Sequence, residues 1–502
     1  MAKRKRDTTT AAANGGSNAS KINKTNEHID VKTTSPVIQI VAGSYDRVLH
    51  GITASIYDLS SSETSPSVQF ADTFLFNAHA SAVRCLALSP LPDPGSSETQ
   101  GVYLATGGSD EKINVYSLSA SPVAANDEIS GLPLLGNTAI SENPRNRELG
   151  TLLQHSSNIS ALHFPTRSKF LSASEDNTIA VTRLKDLTVV STIKAPRPKV
   201  QGQPSGDTNP QGATPAGVND FAVHPSLKLM VSVGRGERCM RLWNLVTGKK
   251  AGVLNFSRET LQSAREGKYS SGEGRRIRWS PDGSEFAVAF ERGVVVFGED
   301  SRAKCRVLPM PLTKLHQICY VSLPDNTGEE TTLLAVSTED GRILFYNTRG
   351  IAMSPIMESA NKDDNSIVDA LFVSQLGGKA AGIANRIKDF EILSLSSPTI
   401  SSARRKDLAI ITAHSDGAVR LFHLPTSSLL VAAKSKTPTP PQIGKLIGLY
   451  ETGNRITCLR AFVMLEPAAV DEHFGDKEDE FEGFEESQSE SESDAESDLG
   501  DK

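Results

Sequence analysis

"LATGGSDEKINVYSL", residues 104–118, reads as two short apolar strands joined by a turn that carries Asp110. From Asp110 an apolar residue follows at +3, another at +5 and an aromatic at +6, giving "DEKINVY". The same spacing recurs in "DNTIAVT" (176–182, without the aromatic), "ERCMRLW" (237–243), "ERGVVVF" (291–297), "DGRILFY" (340–346) and "DGAVRLF" (416–422). "DRVLHGI" (46–52) is a degraded seventh copy. Alternation with period two, bounded by Gly, Asp and Ser, is the pattern of a half-buried strand.

Each copy is preceded by another strand, such as "VYLATGGS", "FLSASE" or "LMVSVGRG". Ahead of four of them stands a third strand closing on proline: "VRCLALSP", "ISALHFP", "VNDFAVHP" and "RIRWSPDG". Proline ends a strand and fixes the turn behind it. A fourth run, such as "TVVSTIKA" (188–195) or "KKAGVLNF" (249–256), often follows. Four antiparallel strands repeated seven times predict an all-β, seven-bladed β-propeller. The first blade lacks an inner strand, because "IQIVAGSYDRVLHGI" supplies its second and third strands and "DTFLFNAH" its fourth. "NRITCLRAFV" (454–463) is a strand without a blade at the other end of the chain. Pairing Ile456–Phe462 with Ile38–Gly43 would close the ring and leave few free edges.

The organisation expected is a disordered basic arm (1–35), a propeller (36–465) and a disordered acidic, Ser-rich tail (466–502). Long loops are expected at 121–148, 196–216, 257–273, 349–366, 395–406 and 434–443. The composition, 38% hydrophobic and 22% charged over 502 residues, is ample for a large core. The five cysteines are scattered without a C-x-x-C pair, which argues for a reduced compartment and against zinc or disulfides. No apolar run of about 18 residues suggests a membrane span.

The net charge of −6 hides an asymmetry: residues 471–502 carry 15 acids and two lysines, or −13, so the rest carries +7. "KRKR" (Lys3, Arg4, Lys5, Arg6) has the form of a nuclear-import signal, four cations on an accessible arm. Ser487, Ser489, Ser491 and Ser493 each stand three residues before an acid, a spacing that suits an acidophilic kinase. Arg275, Arg276 and Arg278, with Arg404, Arg405 and Lys406, are candidate RNA contacts, since phosphate contact needs only accessible cations.

The repeats resemble WD-repeat proteins: His79 precedes the first strand, Thr106 lies on the second, Asp110 in the turn and Tyr116 at the aromatic position. The resemblance implies a hydrogen-bonded chain that pins neighbouring strands. His155, Ser172 and Asp176 repeat it, Ser232 and Trp243 keep part of it with Glu237 in place of Asp, and Asp340 and Asp416 hold the same turn. The histidines and acids are therefore read as strand pins rather than metal ligands or catalytic groups. No Gly-Lys-Ser/Thr phosphate loop, H-E-x-x-H or G-x-S-x-G motif is present. Neither enzyme activity nor a cofactor, metal or small-molecule substrate is expected.

The mid-blade opening "VAGSYDRVLHGI", with "LLQHSSNISALHF", "FAVHPSLKLMVSVGRGERCMRLWNLVTGK", "IKDF" and "NRITCL" in that order, is similar to the PAK-interacting-protein and maintenance-of-killer family. The resemblance covers about residues 38–463. It implies a noncatalytic scaffold in nucleolar assembly of the large ribosomal subunit, bound to pre-ribosomal particles through a ribosomal protein, an assembly factor or pre-rRNA. It also implies an alternative role, restraint of a p21-activated kinase.

Overall fold

The described residues form seven four-stranded antiparallel blades, in which each strand pairs with the next strand of its blade along the chain except in blade 1. The computed structural model describes residues 35–57, 66–92, 101–123, 139–196, 217–267, 269–324, 330–351, 367–396, 406–434 and 441–465. Both tails, and with them Lys3–Arg6 and Ser487–Ser493, lie outside the described residues.

From hub to rim, blade 1 is Ile456–Val463, Val37–Ser44, Val48–Tyr57 and Ser67–Asn77. Blade 2 is Val83–Leu88, Gly101–Gly108, Ile113–Ser119 and Arg147–Leu152; blade 3 is Ile159–Thr166, Lys169–Ser174, Thr178–Arg183 and Thr188–Lys194. Blade 4 is Val218–Val223, Leu229–Gly234, Cys239–Asn244 and Lys249–Asn255; blade 5 is Arg276–Trp279, Glu285–Ala289, Val294–Gly298 and Ala303–Val307. Blade 6 is Leu315–Pro324, Glu330–Thr338, Arg342–Ile351 and Val368–Gly377; blade 7 is Ile387–Ser396, Lys406–His414, Ala418–Pro425 and Lys445–Glu451. The exception in chain order is the closing strand, which enters blade 1 from the far end of the sequence. Its register runs from Ile38 opposite Val463 to Ser44 opposite Ile456, with a bulge at Gly43. A Cβ at Gly43 would meet Val83 Cγ1 at 2.7 Å and Cys458 Sγ at 2.8 Å, so only glycine lets the closing strand and blade 2 approach there.

The apolar core is divided among the seven blade interfaces. Ile40, Ile52, Ile411 and Leu459 pack between blades 7 and 1, and Leu49, Leu86, Leu104 and Phe462 between blades 1 and 2. Phe164 and Phe170 fill the next interface, Met230 and Trp243 the one after, then Phe286 and Phe297. The closing strand contributes to two interfaces at once. Fully burying one such Leu, Ile or Phe is worth about 1.5–3 kcal/mol, so this strand carries a large share of the ring's cohesion.

The turn that carries the repeated acid has one conformation in five blades. The residue after the acid has positive φ: Arg47 (72°), Glu111 (66°), Asn177 (66°), Gly341 (81°) and Gly417 (89°). Two of the connections expected to be loops hold structure. In 257–273, helix α1 (Arg258–Ser263) starts where the Ser257 side chain accepts from Thr260 N, an N-cap that ends one strand and turns the chain. In 121–148, Ala139–Ile140 adds parallel to Ala71–Asp72 on the rim of blade 1. Helix α2 (Thr426–Lys434), not signalled by a long apolar period, buries Leu429 and Ala432 against blades 6 and 7.

Candidate functional site: the central channel

The WD-type residues hydrogen-bond to one another within their blades. In blade 2, His79 Nδ1 faces Asp110 Oδ1 at 3.0 Å and Nε2 faces Thr106 Oγ1 at 2.8 Å. In blade 3, His155 pairs the same way with Asp176 (3.1 Å) and Ser172 (2.8 Å). A proton on Nδ1 toward the carboxylate leaves Nε2 to accept the hydroxyl. Burial pushes the Asp176 carboxyl up, but hydrogen bonds from His155, Thr178 and the Ser156 backbone outweigh it and hold the group well below the usual carboxylate range.

The chain of pins is split among blades. Blade 4 keeps the aromatic half, Trp243 Nε1 donating to Ser232 Oγ at 2.8 Å, while Glu237 turns to the Arg241 guanidinium. Tyr116 does not join the His79 set and packs edge-on against Phe76. Asp340 accepts from Thr338 Oγ1 (2.5 Å) and pairs with Arg342, and Asp416 accepts from Asn385 (2.7 Å) and pairs with Arg420 (3.1 Å). Among the described residues no group of three or more His, Cys, Asp or Glu is placed to hold a metal.

The inner strands bring together charges that lie far apart in sequence. Asp220 of blade 4, 2% exposed, accepts from Ile277 N (3.1 Å) and from Arg278 Nη1 (2.7 Å) of blade 5. Arg278 reaches Gln317 of blade 6 (3.5 Å), whose Nε2 donates to Asp389 of blade 7 (3.2 Å). Asp389 Oδ2 accepts from Leu459 N (3.1 Å) and Arg460 Nη1 (3.0 Å) of blade 1. A polar belt thus joins five consecutive blades around the channel. Glu391, below Asp389, lies 3.6 Å from Arg460. Burial, aided by the Asp389 charge and opposed by Arg460 and Arg278, raises its carboxyl to about 7.

Above the belt, the starts of the seven inner strands present one residue per blade: Arg84, Ser160, Asn219, Arg276, His316, Lys388 and Thr457. They border a cavity of about 410 Å³ over a narrower recess of about 40 Å³. Around it, Glu175 pairs with Arg84 (3.2 Å) and Arg235 (3.4 Å), and Glu291 with Arg275 (3.5 Å) and Lys314 (2.9 Å). Arg276 and Lys388 have no carboxylate within ion-pair distance among the described residues. Burial, with Arg386 and Arg455 nearby, lowers the Lys388 ammonium below its ordinary value. Burial also lowers His316 to about 4, reinforced by Lys388, Arg386, Arg276 and Arg275. The opposite mouth, of about 370 Å³, is faced by Leu88, Phe164 and Trp279.

Of the candidate RNA contacts, Arg275 and Arg276 therefore sit at the mouth, whereas Arg278 points into the belt and is engaged by Asp220. Arg404, Arg405 and the side chain of Lys406 lie outside the described residues. Arg84, Lys388 and Arg460 were not singled out from sequence; their only signal is a cation interrupting the apolar alternation of an inner strand.

A model of the WD domain, G-beta repeat family matches residues 146–181, the outer strand of blade 2 and the inner three strands of blade 3. Protein MAK11 of Saccharomyces cerevisiae is 26% identical over 84% of this chain and 82% of its own length. The p21-activated protein kinase-interacting protein 1-like of Danio rerio is 24% identical over 84% of this chain and 80% of its own. Shk1 kinase-binding protein 15 of Schizosaccharomyces pombe is 24% identical over 62% of this chain and 69% of its own.

Proposed function

We propose that this chain, a WD-repeat β-propeller protein resembling the PAK-interacting-protein and maintenance-of-killer family, is a noncatalytic scaffold in nucleolar assembly of the large ribosomal subunit. The observation that carries the reading is the coupling of a closed, rigid disc to a cationic hub. Seven interlocked blades hold a fixed surface, and the cations at one mouth of the channel suit the anionic surface of a pre-ribosomal particle. The similarity to Protein MAK11 over most of both chains supports the same role. In this reading Lys3–Arg6 direct the chain to the nucleus, and the acidic tail, with Ser487, Ser489, Ser491 and Ser493 as modification sites, engages basic partners or shields the hub from stray nucleic acid.

Depletion tests the reading. It should lower free large subunits and produce half-mer polysomes; an unchanged polysome profile would overturn it. Purification at mild salt should recover large-subunit precursor rRNA with assembly factors.

A second reading is favoured by the names of several relatives, which describe kinase-interacting and kinase-binding proteins. In it the propeller binds a p21-activated kinase and restrains it. Titration of the purified kinase distinguishes the two: saturable binding with loss of kinase activity supports restraint, and no binding at micromolar concentration removes it.

A further inference from the structure

We propose that the mouth of the channel formed by Arg276, Lys388, Ser160 and His316 is a binding site for a phosphate monoester, presented by a phosphorylated serine or threonine of a partner protein. Four observations meet there. Arg276 and Lys388 are the two mouth cations without a carboxylate, while Arg84, Arg235 and Arg275 around them are engaged by Glu175 and Glu291. Ser160 Oγ and His316 Nε2 are buried and have no hydrogen-bond partner among the described residues. Ser160 and Arg276 border both the outer cavity and the recess below it, His316 the former and Lys388 the latter. In the belt beneath, Asp220 and Asp389 are already engaged by Arg278 and Arg460.

The chemistry of this donor set selects the ligand. An arginine fork, an ammonium, a hydroxyl and an imidazole N–H are four donors with two positive charges. A phosphate monoester brings three terminal oxygens and nearly two negative charges, and satisfies all four. A single carboxylate carries half that charge and has one oxygen fewer. The shape argues against a nucleic-acid strand. A chain of phosphodiesters needs a groove that follows its backbone, whereas this site is a recess at the hub, walled by successive blades and wide enough for one side chain. A buried hydroxyl or imidazole left unpaired is destabilising, so an occupant that pairs them gains beyond simple charge attraction.

Calorimetric titration of the full-length protein in phosphate-free buffer tests the site. The probes are the capped peptide Gly-Gly-phosphoSer-Gly-Gly, its Ser and Glu counterparts, and a ten-nucleotide oligouridylate. The phosphopeptide should bind at least tenfold more tightly than the Glu peptide, and the Ser peptide should give no heat. The double variant Arg276→Gln, Lys388→Gln should lose at least tenfold in phosphopeptide affinity with its melting temperature unchanged, because neither side chain has a carboxylate partner among the described residues. Ser160→Ala should weaken binding without abolishing it. Equal binding of the Glu and phosphoserine peptides, or undiminished binding by the double variant, would overturn the proposal. So would displacement by oligouridylate at concentrations below those at which the phosphopeptide itself binds, which would make the mouth an RNA contact. The depletion experiment is independent of these titrations, so the assembly role and this site stand or fall separately.

Discussion

Asp389 of blade 7 holds Arg460 on the closing strand of blade 1 across the interface between these two blades, with Oδ2 accepting from Nη1 at 3.0 Å and from the Leu459 backbone N–H at 3.1 Å. Asp389 is 4% exposed, and its removal leaves the Leu459 N–H without its acceptor and the Arg460 guanidinium with only the more distant Glu391 at 3.6 Å. Breaking such a pair from one side costs about 3–5 kcal/mol. Asp389→Ala should lower the unfolding free energy by an amount in that range, seen as a lower urea midpoint at an unchanged slope. Arg460→Met in the same background should recover part of the loss, because the uncompensated charge is then gone. A loss below about 1 kcal/mol for the single variant would mean that the belt is solvated and contributes little.

Ring closure rests on the same strand. Leu459 is fully buried between blades 7 and 1, and its truncation to alanine should cost about 2–5 kcal/mol. Gly43→Ala tests the close approach independently: its Cβ would lie under 3 Å from both Val83 and Cys458, and overpacking of this kind costs about 1–3 kcal/mol. A chain ending at Asn454 should expose the Val37–Ser44 edge and elute as aggregates in size-exclusion chromatography. A monodisperse, fully cooperative truncated protein would show that blade 1 holds with three strands.

Much of this was legible before any coordinates, and the reason is physical. A blade is a local object, so its turn acid, apolar alternation and outer aromatic lie within one short window, as in Asp110 to Tyr116. Closure was legible because a half-blade at Val37 and an orphan strand at Ile456 each needed a partner. The hub was not legible. Arg276, His316 and Lys388 become neighbours only because three inner strands start at one level, and no local spacing encodes that. Arg278 looked like Arg276 in "RRIR", and the two share a face of the strand, yet two residues further along Arg278 lies one level deeper, against Asp220. Helix α2 escaped because nine residues with two buried apolar side chains, Leu429 and Ala432, leave too short a period to stand out from a loop.

The acid turn makes a prediction of opposite signs at equivalent positions. Glu111 occupies the left-handed region at φ 66°, where a non-glycine residue is strained, so Glu111→Gly should stabilise by about 0.5–1 kcal/mol. Gly417 has φ 89°, and a Cβ there would meet Asn454 O at 2.6 Å. Gly417→Ala should therefore destabilise by more than about 1 kcal/mol. Equilibrium denaturation of the two variants checks both signs, and the same sign for both would refute the equivalence of the turns.

Stability should rise from pH 4 to pH 6.5, and the sign follows from which state holds the proton. Burial lowers His163, His316 and His414 to about 4 in the folded chain, from an ordinary value of 6.5. Between those limits the unfolded chain binds protons at these three sites that the folded chain refuses, so stability is lost as pH falls through 6.5 toward 4. Glu391 acts in the opposite direction. Its folded value of about 7 against 4.5 when unfolded means that the folded chain keeps a proton there, so its contribution is full below 4.5 and lost as pH rises toward 7. These histidines, with His79, which burial also lowers, outnumber the one opposing carboxyl, and the net slope is positive. Glu391→Gln removes the opposing contribution and should steepen the rise between pH 4.5 and 6.5, while His316→Gln removes one of the supporting contributions and should flatten it. Urea unfolding at half-unit pH intervals reads both slopes. A Glu391→Gln curve parallel to that of the parent protein would place the Glu391 carboxyl at its ordinary value and require that the channel beside Arg460 be freely hydrated.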